Sequence, residues 1–519
     1  MTRNKKLSLS ILAVVLAAFT IIVIRNAWVG EDAYITLRTV DNFVNGYGLT
    51  WNVGERVQAY THPLWMFLLT IFYFVTRESF YTTIVLSVIV SVVAVLFLSF
   101  RVARSTYTAI LAILALTLSK AFVDYSTSGL ENPLSHLLLA IFLLMFLSRE
   151  DINGRFIFYI SLVASLVTLN RLDHGVLVAP VLIYFLWCSR SWRSVGAMAL
   201  GFVPLVIWEM FSLFYYGFLW PNTAYAKLAT AVPWTTLTEQ GLYYIWSSLR
   251  VDPLTVVVIA GGVAIPLIRK QWRLVLISAG LIIYLIYLVR IGGCFMSGRL
   301  LTAPLILAVI VLTQYSLRLT KTFWISAAVI VVLGLVTSYS PVYTTADDGS
   351  ADVEKMKFGR GIVDERGWYF SGAGLLNAPV DKPMPTHKYA ELARIQRQPL
   401  TANRTAMTTR STVGFYGYFA GPAIYVIDLC GLGDPLLARL PFDTTKNWRI
   451  GHIYRAVPEG YRETVLTGRN ALQDPNLRKY YDKLKLVVSG GLFDGTRLKT
   501  IVEMNLGKYD HLLDAYSRR

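Results

Sequence analysis

"PLWMFLLTIFYFV", residues 63–75, decides how the chain is threaded. As a helix this run would reach only about 20 Å, short of the roughly 30 Å of a bilayer's hydrocarbon core. It opens on proline, which suits the first turn of a helix. Both features argue for a helix lying at the membrane surface, and the flanking charge tests that choice. Cytoplasmic loops collect Lys and Arg. With Arg3, Lys5 and Lys6 inside, and residues 63–75 not counted as a span, the inside loops carry Arg101 and Arg104, Arg149 and Arg155, Arg190 and Arg193, Arg269, Lys270 and Arg273, and Arg318 and Lys321. If 63–75 crossed the membrane, most of these charges would fall outside.

The rest of the chain supports a membrane reading. Of 519 residues, 55% are hydrophobic and only 16% charged, which excludes an ordinary soluble protein of this size. Apolar segments recur at 7–24, 82–100, 107–121, 133–148, 156–169, 175–188, 195–216, 253–268, 272–291, 301–317 and 321–338, which predicts about eleven spans. The first reads as a retained helix, with a signal peptide as the less favoured alternative. The fold class expected is therefore an α-helical polytopic membrane protein, residues 1–340. Its first extracytoplasmic loop, 25–81, carries interfacial helices. Residues 341–519 turn polar and contain the strand-like runs "AIYVIDL" and "KLVVSG", so they read as a soluble, mixed α/β extracytoplasmic domain.

The net charge of +17 has no basic run behind it, so topology and anionic lipid account for it better than nucleic acid. The three cysteines and six histidines are scattered. No disulfide framework, zinc site or cofactor follows from them. A divalent metal stays open, with no ligand cluster in view.

The predicted outside junctions are "GEDAYITLR", "STSGLENP", "NRLDHG", "GFLWPNTAYAK" and "GGCFMSGRL". Polar groups gathered at one membrane face point to a shared site. In the first of them, Ala33, Leu37, Val40 and Val44, widened by Phe43, predict an amphipathic surface helix that ends at "NGYG". Glu31 and Asp32 stand at its start. One acid is enough to cap a helix. A fixed carboxylate there could also deprotonate a sugar hydroxyl.

"EDAYITLRTVDNFVNGYGLTWNVGERVQAYTHPLW" resembles the first loop of GT-C membrane glycosyltransferases, in particular the terminal β-1,2-arabinofuranosyltransferases of mycobacteria and corynebacteria and their proteobacterial relatives. "TSGLENPL", "YYGFLWPNTAYAK" and "GGCFMSGRLLTAPL" continue the resemblance in order, with a weaker likeness at "IDLCGLGDPLLAR". The resemblance implies a GT-C fold and a polyprenyl-phosphate-linked sugar donor. It also implies transfer outside the cytoplasmic (inner) membrane of a bacterium, to a glycan or glycoprotein acceptor, with Asp32 and Glu31 as the catalytic acids. Relatives often carry two aspartates at the acid pair, so Asp32 is the firmer choice; they commonly have an aspartate where this chain has Cys294.

The other candidate residues also have plainer roles open to them. Arg299, Lys227 and Arg171 suit a donor phosphate, and Arg290 competes with Arg299; a snorkelling anchor, a surface lysine and a local ion pair with Asp173 are the alternatives. Arg38, His62, Glu131 and Asp173 are candidates for substrate contacts. Capping is the plainer role for His62 and Glu131. Trp51 and Trp65 offer stacking faces. Arabinofuranose is the favoured sugar. The rivals are a lipid-linked-glycan flippase or transporter and an oligosaccharide ligase or polymerase. A flippase should carry charges near mid-span, whereas here they stay at span ends.

Overall fold

The computed structural model describes residues 3–149, 152–228, 232–343, 353–399, 406–442 and 448–517. The side chains of Arg3, Lys5 and Lys6, used above to orient the N-terminus, lie outside the described residues. All eleven expected apolar segments fall on helices. Four helices are long and apolar enough to cross a bilayer: Leu7–Arg25, Phe80–Val102, Leu172–Ser189 and Trp272–Arg290. The number rises to six if each of two bent pairs is one span. Shorter apolar helices, such as Asn132–Ser148 and Lys321–Leu335, accompany them. The protein is a mostly helical, multi-pass membrane protein.

Among the apolar helices, two details differ from the sequence expectation. Segment 195–216 is not one helix; it breaks at Phe202 into Trp192–Gly201 and Val203–Tyr215, just before Pro204. A helix not expected at all, Trp234–Val251, precedes Pro253–Ile268 and meets it at 114°. Asp252 makes that corner by capping the second helix, accepting from the Thr255 amide at 3.2 Å.

The chain packs into two compact units. The first comprises Met1–Gly30, Phe80–Leu205 and Trp234–Pro385. Its helices approach closely where small residues allow, as where Pro253–Ile268 lies on Thr302–Thr313. A Cβ on Gly262 would stand 2.5 Å from that of Ala308, so only glycine fits there. Segment 353–385 closes onto the same unit through paired backbone: the Val363 amide donates to the Phe295 carbonyl at 2.8 Å, and Val29 to Ala373 at 3.1 Å.

The second unit comprises Glu31–Ser79, Val206–Pro233 and Thr386–Arg519. It contains the one sheet among the described residues, two parallel strands, Ala406–Arg410 and Ile424–Asp428. The short helix Gly414–Ala420 connects them. The expected strand in "AIYVIDL" is present, but "KLVVSG" is the end of the helix Pro475–Ser489. Leu477, Tyr480, Tyr481, Leu484, Val487 and Val488 are its buried residues, and their spacing is helical. The adjacent valines resemble a strand only over six residues; across the whole segment the buried positions follow the helical period. These residues join Tyr425, Ile427, Leu436 and Tyr461 in a single core.

Candidate functional site

The helix that begins at the acid pair, Glu31–Val44, forms where expected, but it is not one-sided. Every residue from Ala33 to Val40 is buried, whereas Phe43, expected on the apolar stripe, is exposed. The reason is aromatic packing on the face assumed to be wet: Tyr34 lies 5.0 Å from Phe415, 5.2 Å from Tyr418 and 5.5 Å from Phe419.

Glu31 and Asp32 are differently placed. Buried Glu31 accepts from the Gly414 amide and, at 3.2 Å, from that of Phe415, so its carboxylate sits on the first turn of the Gly414–Ala420 helix. A Cβ at Gly414 would collide with the Glu31 carbonyl, which explains the glycine. Asp32 is only partly buried, at the start of its helix. This answers why two acids are adjacent: Glu31 joins two helices, and Asp32 occupies the more accessible position.

Arg38 is almost wholly buried. It donates to the carbonyls of Trp51 (2.6 Å), Gly417 and Ile424 (3.0 Å) and to Asn52 Oδ1 (3.2 Å), and its guanidinium stacks on Trp51. Its donors serve the fold of this unit. Trp51 and Trp65 are fully buried and present no exposed stacking face. His62 precedes the Pro63–Thr76 helix without capping it through its side chain; Nε2 instead lies 2.9 Å from Thr36 Oγ1.

Also in the second unit, the "WPNTAYAK" segment is bound to the "DLCGLGDPLLAR" turn. Asn222 Nδ2 donates to the carbonyls of Gly431 (2.8 Å), Leu432 (3.2 Å) and Asp434 (3.1 Å), and Arg439 donates back to Asn222 Oδ1 at 2.9 Å. Arg455 donates to the Ala226 carbonyl at 2.6 Å. Asp428, fully buried, ties the turn by accepting from the amides of Cys430 and Gly433, both at 2.9 Å, the structural role its place in a turn suggests. Burial raises its pKa to about 6 against the pull of those amides. Burial also pushes the Cys430 thiol up. Asp428 and Glu31 reinforce the rise, and Lys227 and Arg455 oppose it. Partly buried Lys227 and the carboxylate of Glu31 therefore both act on the same thiol. His452 is held down to about 3 by burial and by the positive charges of Arg449 and Lys227.

The first unit brings together four candidates from three distant segments. Glu131, fully buried, takes Arg171 Nη1 at 2.5 Å and Arg299 Nη2 at 3.3 Å on each of its oxygens. Arg171 also grips Asp173 at 2.6 and 3.2 Å, and the Tyr284 hydroxyl donates to the same carboxylate at 3.3 Å. Glu131 was expected to cap Asn132–Ser148; it makes no side-chain cap and serves the two arginines instead. Arg171 makes short charge-assisted bonds to Glu131 and Asp173, and Arg299 reaches both Glu131 oxygens at 3.3 Å. Arg290, the rival to Arg299, is exposed and stacks over Trp234 at 5.0 Å.

Sequence reasoning missed a second buried charge group in this unit. Lys120 Nζ lies 2.5 Å from Asp124 and 2.9 Å from Asp364, and Arg366 lies 3.0 Å from Asp124. The signal was an i, i+4 opposite-charge pair inside an apolar stretch. No three His, Cys, Asp or Glu side chains among the described residues are placed to hold a metal ion.

No family model matches the chain. It is similar to the terminal β-(1→2)-arabinofuranosyltransferase of Mycobacterium tuberculosis, with 26% identity over 83% of this chain and 81% of that protein. The enzyme of the same name from Corynebacterium glutamicum is 25% identical over 82% of this chain and 72% of that protein. Among solved structures, that of ArnT from Cupriavidus metallidurans, bound to undecaprenyl phosphate, superposes with a TM-score of 0.53 at 13% identity, covering 82% of this chain and 86% of that one. The chain is a distant homologue of the two arabinofuranosyltransferases and has an ArnT-like, GT-C fold.

Proposed function

From this distant homology to terminal β-(1→2)-arabinofuranosyltransferases we propose that the chain is a polyprenyl-phosphate-sugar-dependent glycosyltransferase of the bacterial cytoplasmic membrane. The sugar is D-arabinofuranose and the acceptor a glycan or glycoprotein on the outer face. The single observation that carries this reading is similarity to both enzymes over more than four-fifths of the chain. The ArnT structure was determined with undecaprenyl phosphate, which supports the same class of donor here.

In this reading about eleven helices cross the membrane, residues 1–340 are the catalytic membrane domain and 341–519 the extracytoplasmic domain. Asp32 is the catalytic carboxylate: it takes the proton of the acceptor hydroxyl or stabilises positive charge developing on the sugar. Glu31 positions it by fixing the start of the shared helix. Arg299 is the first candidate to hold the donor phosphate and stabilise it as it leaves, and Lys227 is a second candidate for that role. Arg171, with Glu131 and Asp173, sets the position of Arg299. His62, and Arg38 through Trp51, order the first loop.

The test is transfer by the purified protein from synthetic polyprenyl-phosphate arabinofuranose. Arg299→Ala should raise the KM for donor far more than that for acceptor. Transfer from a sugar nucleotide with no lipid carrier would overturn the donor assignment.

A further inference from the structure

The helix Gly495–Asn505 has three faces, and only two are accounted for by the protein. Arg497, Thr500, Ile501 and Met504 are buried in the second unit. Leu498, Val502 and Leu506 follow at i, i+4 and i+8 on one side and are 38%, 58% and 80% exposed, with Phe493 just before them 85% exposed. Lys499 and Glu503 lie beyond this stripe on the polar side. An exposed apolar stripe between a packed face and a charged one is the pattern of a helix lying in a bilayer interface.

Its attachment says which surface is meant. Arg497 Nη2 donates to the carbonyls of Phe214 and Tyr215, both at 2.9 Å, at the end of the Val203–Tyr215 helix, and Asn505 Nδ2 donates to the Gly217 carbonyl at 2.8 Å. That helix is one limb of a broken candidate membrane span. Its outward residues Val206, Ile207 and Met210 are 51%, 61% and 67% exposed, as lipid-facing residues are. Phe214, one turn after Met210, packs against Phe493 with ring centroids 5.4 Å apart. The lipid-facing surface of the span therefore runs through Phe214 and Phe493 towards the stripe on Gly495–Asn505.

We propose that Gly495–Asn505 lies in the water–lipid interface at the end of this span, with Phe493, Leu498, Val502 and Leu506 in the acyl boundary and Lys499 reaching the headgroups. The occupant of the stripe is the bilayer. The inference rests on the multi-pass architecture and not on the glycosyltransferase reading.

The experiment uses the full chain with Cys188→Ser and Cys294→Ala, leaving buried Cys430. Nitroxide labels are placed at Val502→Cys, Leu506→Cys and Thr496→Cys, in vesicles of phosphatidylcholine and phosphatidylglycerol. Labels at 502 and 506 should collide more with oxygen than with a water-soluble nickel complex, and the label at 496 should show the reverse. Equal access of nickel to all three would overturn the proposal. So would spin–spin broadening at 502, which would mean that a second copy of the chain covers the stripe. All three positions are exposed, so labelling leaves the core intact; an enzyme inactive with arabinofuranose donors but with this accessibility pattern would leave the inference standing.

Discussion

Replacing Glu31 and Asp32 one at a time separates two kinds of work. Glu31→Ala removes the acceptor for the Gly414 and Phe415 amides and should cost about 1–3 kcal/mol of stability, while Glu31→Gln, which keeps an acceptor oxygen, should recover most of it. Asp32 is the second residue of its helix, where asparagine keeps the side chain's size and gives up only a charge–dipole interaction of about 0.3–1 kcal/mol, so the thermal stability of Asp32→Asn should be near normal. If Asp32 is the proton acceptor, its turnover should fall by about 10²–10⁴-fold. Thermal unfolding and transfer rate on the same preparations read both effects, and near-normal turnover in Asp32→Asn would return the residue to a structural role. Much of this scale was legible: Glu131, Arg171, Asp173 and Arg299 were each singled out in the sequence. What could not be read was that Glu131 stands between the arginines, or that Glu31 is engaged by a helix more than 380 positions away, because such partners are fixed only by tertiary packing. Lys120 and Asp124 were readable as an i, i+4 pair, but their partners Asp364 and Arg366 were not.

At the scale of elements, the turn 428–439 should make stability depend on pH. Asp434, fully buried at the entry to the short helix Leu437–Arg439, accepts from the amides of Leu436 and Leu437 and from the Tyr461 hydroxyl. Burial nonetheless raises its pKa to about 8, with nearby Glu55 adding to the rise. An unfolded aspartate releases its proton near about 4, so between there and about 8 the folded state binds the proton more tightly. The contribution is fully present below about pH 4 and is lost as pH rises through about 8. Thermal unfolding across that window should show a falling midpoint, and Asp434→Asn should flatten the slope; an unchanged slope would assign the pH dependence elsewhere. Elements were the most legible level. Long apolar runs form helices because a backbone in lipid must satisfy its own hydrogen bonds. The misreadings arose where that rule is silent: a helix end with adjacent valines, a break at Phe202 before Pro204, and the Trp234–Val251 helix, whose mixed composition hid its period.

For the whole molecule, sidedness is the property on which the functional reading depends, and Pro63–Thr76 is where it can fail. The helix is 14 residues long, with Ile71, Phe72, Phe74 and Val75 exposed on its outer side and Trp65, Met66 and Leu69 buried. One apolar face turned outward on a helix of about 21 Å suits the interface better than a crossing. Reporters inserted at Tyr47 and at Glu78, on either side of it, should therefore read the same side of the membrane. Reporters after Ser338 and at Arg269 should read extracytoplasmic and cytoplasmic. If Tyr47 and Glu78 read opposite sides, every later loop changes side: the basic loops would face out, and Asp32 and Arg299 would be left on opposite faces of the bilayer. A carboxylate and a phosphate-binding arginine so separated could not act on one lipid-linked sugar, so this result would remove the proposed site while leaving the homology and the fold in place.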